Sequence, residues 1–231
     1  MRRGVSNDGL TPTLGLYDAI IPTRSNGPQS RGAERGQMKN IRRLCVYCGS
    51  SGEVRTQYRE AASTLGAGLA AAGIGLVYGG GRVGLMGLLA DAALAAGGEV
   101  TGIIPSRLRD AEVAHHGVTE LVVVDNMHER KRLMAEKADA FAILPGGIGT
   151  LDEMFETLSW KQLGLHDKPI LLVDIGGYWA PLRALLDHTV AEGFARPQTH
   201  GLLRVVPTVA ALMEALAEAP RTTHQMDSRR L

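Results

Sequence analysis

The stretch Ala140-Phe141-Ala142-Ile143-Leu144-Pro145-Gly146-Gly147-Ile148-Gly149-Thr150-Leu151-Asp152-Glu153 reads as three things in succession. Ala140–Leu144 is a short apolar run of the kind that fills a buried strand, Pro145–Gly149 is a turn, and Leu151–Leu163 carries the spacing of a helix. The same texture recurs outward in both directions. Leu44–Tyr47, Gly75–Tyr78, Val100–Ile104, Leu121–Val124, Ile170–Val173 and Leu203–Val206 read as further strands. Gln57–Ala72, Leu85–Ala96, Glu129–Ala138, Trp179–Glu192 and Val209–Glu218 read as helices between or after them. Strands with helices between most of them predict an α/β fold: a Rossmann-like, doubly wound, mostly parallel sheet with helices on both faces, in a single domain. Such sheets bind ligands beyond the carboxyl ends of their strands. Gly49–Gly52, Gly79–Gly84 and Gly146–Gly149 all fall at such ends and are expected to open on one edge.

Composition bounds the function. The 231 residues are 45% hydrophobic and 21% charged, with a net charge of +1, so no global field draws the chain to nucleic acid or an anionic membrane. Aromatic residues are only 4%, too few for a base-stacking platform. Two cysteines, Cys45 and Cys48, make no disulfide framework, which fits a reducing, cytoplasmic setting. Residues 1–37 show no sustained period and read as a leader outside the domain. Leu14–Pro22 is too interrupted for a signal peptide or a spanning helix. Met38, directly before the first strand, is a candidate translation start. The catalytic domain is expected over 38–219, followed by a polar tail over 220–231.

Individual motifs carry different weight. Gly79-Gly80-Gly81-Arg82-Val83-Gly84 fits G-x-G-x-x-G, but a dinucleotide site also wants an acid at the end of the next strand. Glu99 stands at the start of that strand, so NAD or FAD is not expected; a tight packing turn and a mononucleotide contact both remain open. In Gly146–Thr150, glycines and a helix start form a phosphate cradle, with the Thr150 hydroxyl as a further donor. Thr150-x-x-Glu153 is equally well a capping box. Arg130 and Lys131 in Met127-His128-Glu129-Arg130-Lys131 sit at a helix start, against the dipole preference. A broken local rule points to function, and arginine binds phosphate or carboxylate bidentately. Cys45-Val46-Tyr47-Cys48 begins inside a strand, unlike a redox pair. No second C-x-x-C, H-E-x-x-H or nucleophile elbow is present, so neither a metal nor a cofactor is expected.

In combination, Met127–Lys131 and Pro145–Glu153 resemble the LOG ("lonely guy") family. The similarity extends through Cys48–Ser51, Tyr78–Gly81, Val83–Gly87, Glu112–His115 and Ser159–Leu165, spanning about Met38 to Ala219. Its members are cytokinin riboside 5′-monophosphate phosphoribohydrolases and have often carried the label lysine decarboxylase. Nothing here resembles a pyridoxal-phosphate lysine site. The resemblance implies hydrolysis of a purine nucleoside 5′-monophosphate to free base and ribose 5-phosphate. It makes Arg130 and Glu153 catalytic. It makes Ser50, Gly80, Gly81, Glu112, Met127, Arg130, Lys131, Gly146, Gly147, Ile148, Gly149, Thr150 and Asp152 substrate-binding. Asp152 departs from the Glu of many relatives. The resemblance also implies a homodimer or larger assembly, with Met154, Phe155, Leu158 and Trp160 as core and interface candidates.

The implied chemistry is coherent. Breaking an N-glycosidic bond builds positive charge on the ribose, and a nearby carboxylate stabilises it and activates water. Glu153 takes that role. Arg130 orients it and helps hold the nucleotide, and the glycine loop with Thr150 anchors the 5′-phosphate. Two alternatives stand beside this reading: a broader nucleosidase acting on AMP or other monophosphates, and a carrier that binds a nucleotide or cofactor without chemistry.

Overall fold

The computed structural model describes residues 41–109 and 113–219. The leader, Met38, Glu112 and the tail lie outside the described residues. In chain order the elements are β1 (Arg43–Tyr47), α1 (Thr56–Ala71), β2 (Gly75–Tyr78), α2 (Gly84–Ala95), β3 (Val100–Pro105), a single helical turn α3 (Ser106–Leu108) and β4 (Glu120–Val124). There follow α4 (Met127–Lys137), β5 (Ala140–Ile143), α5 (Ile148–Gln162), β6 (Ile170–Val173), α6 (Ala180–Ala191), β7 (Arg204–Val206) and α7 (Val209–Glu218). Two 3₁₀ turns, Ile175–Gly177 and Pro197–Leu202, flank α6. Every strand and helix expected from periodicity is present, and their ends shift by three residues at most.

The seven strands form one parallel sheet in the order β4-β3-β2-β1-β5-β6-β7. From β1 the chain builds outward through β2, β3 and β4, then returns to the other side of β1 with β5. The winding therefore reverses between β1 and β5, the place where an open sheet of this kind leaves a crevice at its carboxyl edge.

Strand alternation divides the core in two. Leu44 and Val46 of β1, with Leu76, Tyr78, Ala140, Ala142, Leu171 and Val173, pack under α1, α2 and α7. Cys45 and Tyr47, with Val77, Ile103, Phe141, Ile143 and Leu172, pack under α4, α5 and α6. Strands buried on both faces need apolar residues at every position, which is why they read as runs rather than alternations. The Ala-rich faces of α1 and α2 meet backbone to backbone: a Cβ on Gly66 would run into the Leu89 carbonyl oxygen.

The segment after α5 ties the two faces of the site together. Lys168 is buried, and its ammonium donates to the Ala135 and Ala138 carbonyls at 2.7 and 2.6 Å, satisfying the open end of α4. His166 accepts from Lys168 N at Nδ1 and faces the Thr157 carbonyl with Nε2 at 3.1 Å. Burial pushes this imidazole down to about 4, so it is neutral and donates from Nε2. One short segment thus positions both α4 and α5, the helices that carry Arg130 and Glu153.

Candidate active site

Two helices aim side chains at the switch point. Helix α4 starts two residues earlier than periodicity suggests because Asn126 caps it. Glu129 N donates to Asn126 Oδ1 at 2.9 Å, and Glu129 Oε2 accepts from Asp125 N at 3.2 Å. This near-capping box supplies the acidic group that the helix start favours, which frees Arg130 for other work. Helix α5 starts differently. Its cap is Gly147, and no side chain bonds there. Thr150 lies three residues inside that cap, and Glu153 bonds across the fold, so the capping-box reading of Thr150-x-x-Glu153 does not hold.

Arg130 and Glu153 meet in the interior, 7% and 8% exposed. Arg130 Nη1 donates to Glu153 Oε1 at 2.6 Å, a short charge-assisted bond. The rest of the guanidinium is held by backbone: Nε donates to the Ile103 carbonyl at 3.1 Å and Nη2 to the Gly79 carbonyl at 3.4 Å. Glu153 is anchored from behind. Thr157 Oγ1 donates to the Glu153 carbonyl at 2.8 Å, so the Tyr47 hydroxyl at 3.1 Å must donate to Thr157 Oγ1. Burial raises the Glu153 carboxyl above its ordinary range, and the Arg130 charge pulls it partly back. A carboxylate held this way is directional and sparsely hydrated.

The glycine turns converge as expected, but for different reasons. Gly49 N donates to the Pro145 carbonyl at 3.1 Å, and Leu85 N to the Gly49 carbonyl at 3.0 Å, so the loops after β1, β2 and β5 are laced together. In the Gly79–Gly84 turn the glycines serve close packing. Gly80 and Gly81 are buried, and the chain returning from α3 bonds over them, His115 N to the Gly80 carbonyl and Arg82 N to the Val113 carbonyl. Gly80 (φ +76°) abuts Ile103 and Ile104, while Gly84 (φ +63°) rests on the Ser50 backbone. A Cβ on Gly79 would collide with Arg130 Nη2 and stand 3.1 Å from Cζ. Gly79→Ala is therefore expected to displace the guanidinium rather than the backbone. It should lower kcat by about 100-fold while moving Tm by only a few degrees, since the cost falls on one positioned charge; steady-state rates beside a thermal melt check it.

The loop Gly146–Gly149 is open where the reading needs it open. A Cβ at Gly147 or Gly149 would meet nothing within 4 Å, and Ile148 is 82% exposed. The first ladder bond of α5 is Leu151 N to the Gly147 carbonyl at 3.0 Å. The N–H groups of Ile148, Gly149 and Thr150 lie ahead of it, at the positive end of the helix dipole. Gly146 packs on Thr150, which is buried, and a Cβ on Gly146 would stand 2.9 Å from Gly49 N.

The remaining residues singled out from sequence fall in three places. Ser50 and Met127 are exposed at the rim. Lys131 bridges α4 to α5, 3.1 Å from Asp152 and 3.0 Å from Glu156. Asp152 in turn faces Lys131, and its shorter side chain reaches that partner. Met154, Leu158 and Trp160 are core residues, which leaves Phe155 as the exposed apolar residue of that group. Sequence reading missed the Asn126 cap, Tyr47, Thr157 and the carbonyls of Gly79 and Ile103. Both cysteines are free and buried, and burial pushes their thiols up. Among the described residues, no group of three or more His, Cys, Asp or Glu is arranged to hold a metal ion, and no helix is long and apolar enough to cross a membrane.

Comparison with known proteins fits this geometry. Residues 86–216 match the profile of a family described as "Possible lysine decarboxylase". An Arabidopsis thaliana protein named cytokinin riboside 5′-monophosphate phosphoribohydrolase LOG3 is 44% identical over 185 residues, covering 80% of this chain and 86% of its own. A Rhodococcoides fascians protein named cytokinin riboside 5′-monophosphate phosphoribohydrolase is 46% identical over 174 residues, covering 75% of this chain and 88% of its own. Among solved structures, the molybdenum cofactor binding protein of Rippkaea orientalis matches with a TM-score of 0.59 and 20% identity, covering 78% of this chain and 98% of its own. That last likeness is one of fold.

Proposed function

The chain belongs to the LOG family, the group of cytokinin riboside 5′-monophosphate phosphoribohydrolases, and on that premise we propose that it hydrolyses the N-glycosidic bond of a purine nucleoside 5′-monophosphate. Water adds at the ribose anomeric carbon, the bond to the base nitrogen breaks, the proton given up by the water is matched by one taken up at that nitrogen, and the products are free base and ribose 5-phosphate. The observation that carries this reading is the buried Arg130–Glu153 pair beside an open phosphate-type loop at the switch point.

In this reading the α5 N-terminus holds the 5′-phosphate through the free N–H groups around Gly147–Thr150. Binding energy from that remote group places the anomeric carbon against Glu153. As the bond to the base stretches, positive charge grows on the ribose ring. The ionised carboxylate stabilises that charge and accepts a proton from the incoming water. Arg130 holds the carboxylate in one orientation and keeps it charged. It is itself fixed by carbonyls that need not move during the reaction.

The substrate is read as an N6-substituted adenosine monophosphate. The buried free thiols fit a cytoplasmic setting, and exposed Phe155 on α5 fits a homodimer contact, which light scattering on the purified chain would check. The test of function is direct. The protein is incubated with N6-isopentenyl-AMP and separately with AMP, and ribose 5-phosphate and free base are quantified. Equimolar release of both products, faster from the prenylated nucleotide, is the expected result. Faster release from AMP would replace the cytokinin reading with the broader nucleosidase. Binding of either nucleotide without release would favour a carrier.

A further inference from the structure

We propose that Tyr178 is a positioning residue for the phosphate loop, a latch that holds the Gly146–Gly147 peptide in the orientation an anion requires. The proposal rests on the loop's role in the reading above. Tyr178 lies on the turn after β6, and its hydroxyl donates to the Gly146 carbonyl across the mouth of the site at 2.7 Å. In a trans peptide the carbonyl and the following N–H point in opposite directions. A carbonyl drawn toward Tyr178 therefore turns the Gly147 N–H away from it.

This peptide needs a latch more than its neighbours do. It joins two glycines; Gly146 packs on Thr150, but a Cβ at Gly147 would meet nothing within 4 Å, so on that side neither a side chain nor a neighbour restrains the peptide. The next peptides along are held by the α5 ladder, which begins with the bond from Leu151 N to the Gly147 carbonyl. The preceding one is held by Gly49 N on the Pro145 carbonyl. Flipped, the Gly146 carbonyl would present a partial negative charge where a phosphate is to sit, and the loop would lose one donor at the same time.

Tyr178 is itself held firmly for a residue 37% exposed. Its ring meets Tyr58 edge-on at 5.5 Å and Trp179 edge-on at 4.7 Å. Gly176 (φ +60°) and Gly177 (φ +76°) shape the turn that delivers it, and Asp174 Oδ1 accepts from Trp179 N at 2.7 Å. Nothing in this bracing requires the hydroxyl, so Tyr178→Phe removes the latch and keeps the wall.

The experiment measures the affinity of the full-length protein for ribose 5-phosphate by calorimetry, and KM and kcat for the nucleotide, in wild type and Tyr178→Phe. The expected result is about a tenfold loss of ribose 5-phosphate affinity and a matching rise in KM, from one lost hydrogen bond and one misaimed donor. The change in kcat should stay below about threefold, and Tm within a few degrees, as for a partly exposed residue outside the core. Unchanged ribose 5-phosphate affinity in Tyr178→Phe overturns the latch. So does a fall in kcat with KM intact, which would mean that the hydroxyl acts on the chemical step. If wild type binds ribose 5-phosphate but releases no base, the reading of function fails while the affinity comparison still tests the latch.

Discussion

Glu153→Gln is expected to lower kcat for base release by at least about 10³-fold while leaving affinity for ribose 5-phosphate within about threefold. Glutamine keeps the shape and still offers an oxygen to Arg130 Nη1, so the fold and the phosphate loop stay as they are. What disappears is the negative charge that meets the growing positive charge on the ribose, together with the base that takes the proton from water. Both matter only in the transition state, so the loss falls on kcat rather than on binding. Product release assays and calorimetry on the same preparation separate the two. A variant that keeps a substantial fraction of wild-type turnover would remove Glu153 from the chemistry.

Arg130→Met is expected to cost about 3 kcal/mol of stability and to displace the pH profile upward. It removes the charge that offsets most of the burial of Glu153, leaving the carboxyl at 8% exposure with only the weaker Lys131 charge against desolvation. The carboxyl pKa then climbs further. In wild type, activity should be lost as pH falls through the raised pKa of Glu153, because only the ionised form serves. In Arg130→Met the same loss should begin at higher pH, and turnover should partly recover in alkaline buffer. Stability follows the opposite sign. A carboxyl whose folded pKa is raised binds protons more readily folded than unfolded, so its contribution falls as pH rises from the ordinary carboxylate range through the folded value. Chemical denaturation across pH, beside the pH–rate profile, checks both halves. A wild-type and variant profile that coincide would show that Arg130 does not control the charge on Glu153.

Some of this was legible along the chain because it is encoded locally. Short apolar runs and period-3.6 patterns belong to neighbouring residues, so all seven strands and the principal helices could be placed, and with them the doubly wound class. The loop Pro145–Thr150 declared itself because glycines before a helix start have few other uses. Arg130 drew attention because it breaks the dipole rule at the start of α4, and the fold brings its guanidinium to Glu153.

Other features depend on residues distant in sequence. The choice between a capping box and a reaching carboxylate at Glu153 turned on a partner 23 residues away, and only the packing of α4 against α5 supplied it. Gly79 read as one glycine of a turn, yet its missing side chain is the space that the Arg130 guanidinium fills. The carbonyls of Gly79 and Ile103 have no side-chain signature at all. Nothing along the chain showed that Lys131 would pair with Asp152 and Glu156 on α5. Local patterning thus determined which elements form and which loop faces the carboxyl edge. The direction and surroundings of the Arg130 and Glu153 side chains were decided by tertiary structure, because both are set by burial and by long-range hydrogen bonds that exist only once the sheet has formed around β1 and β5.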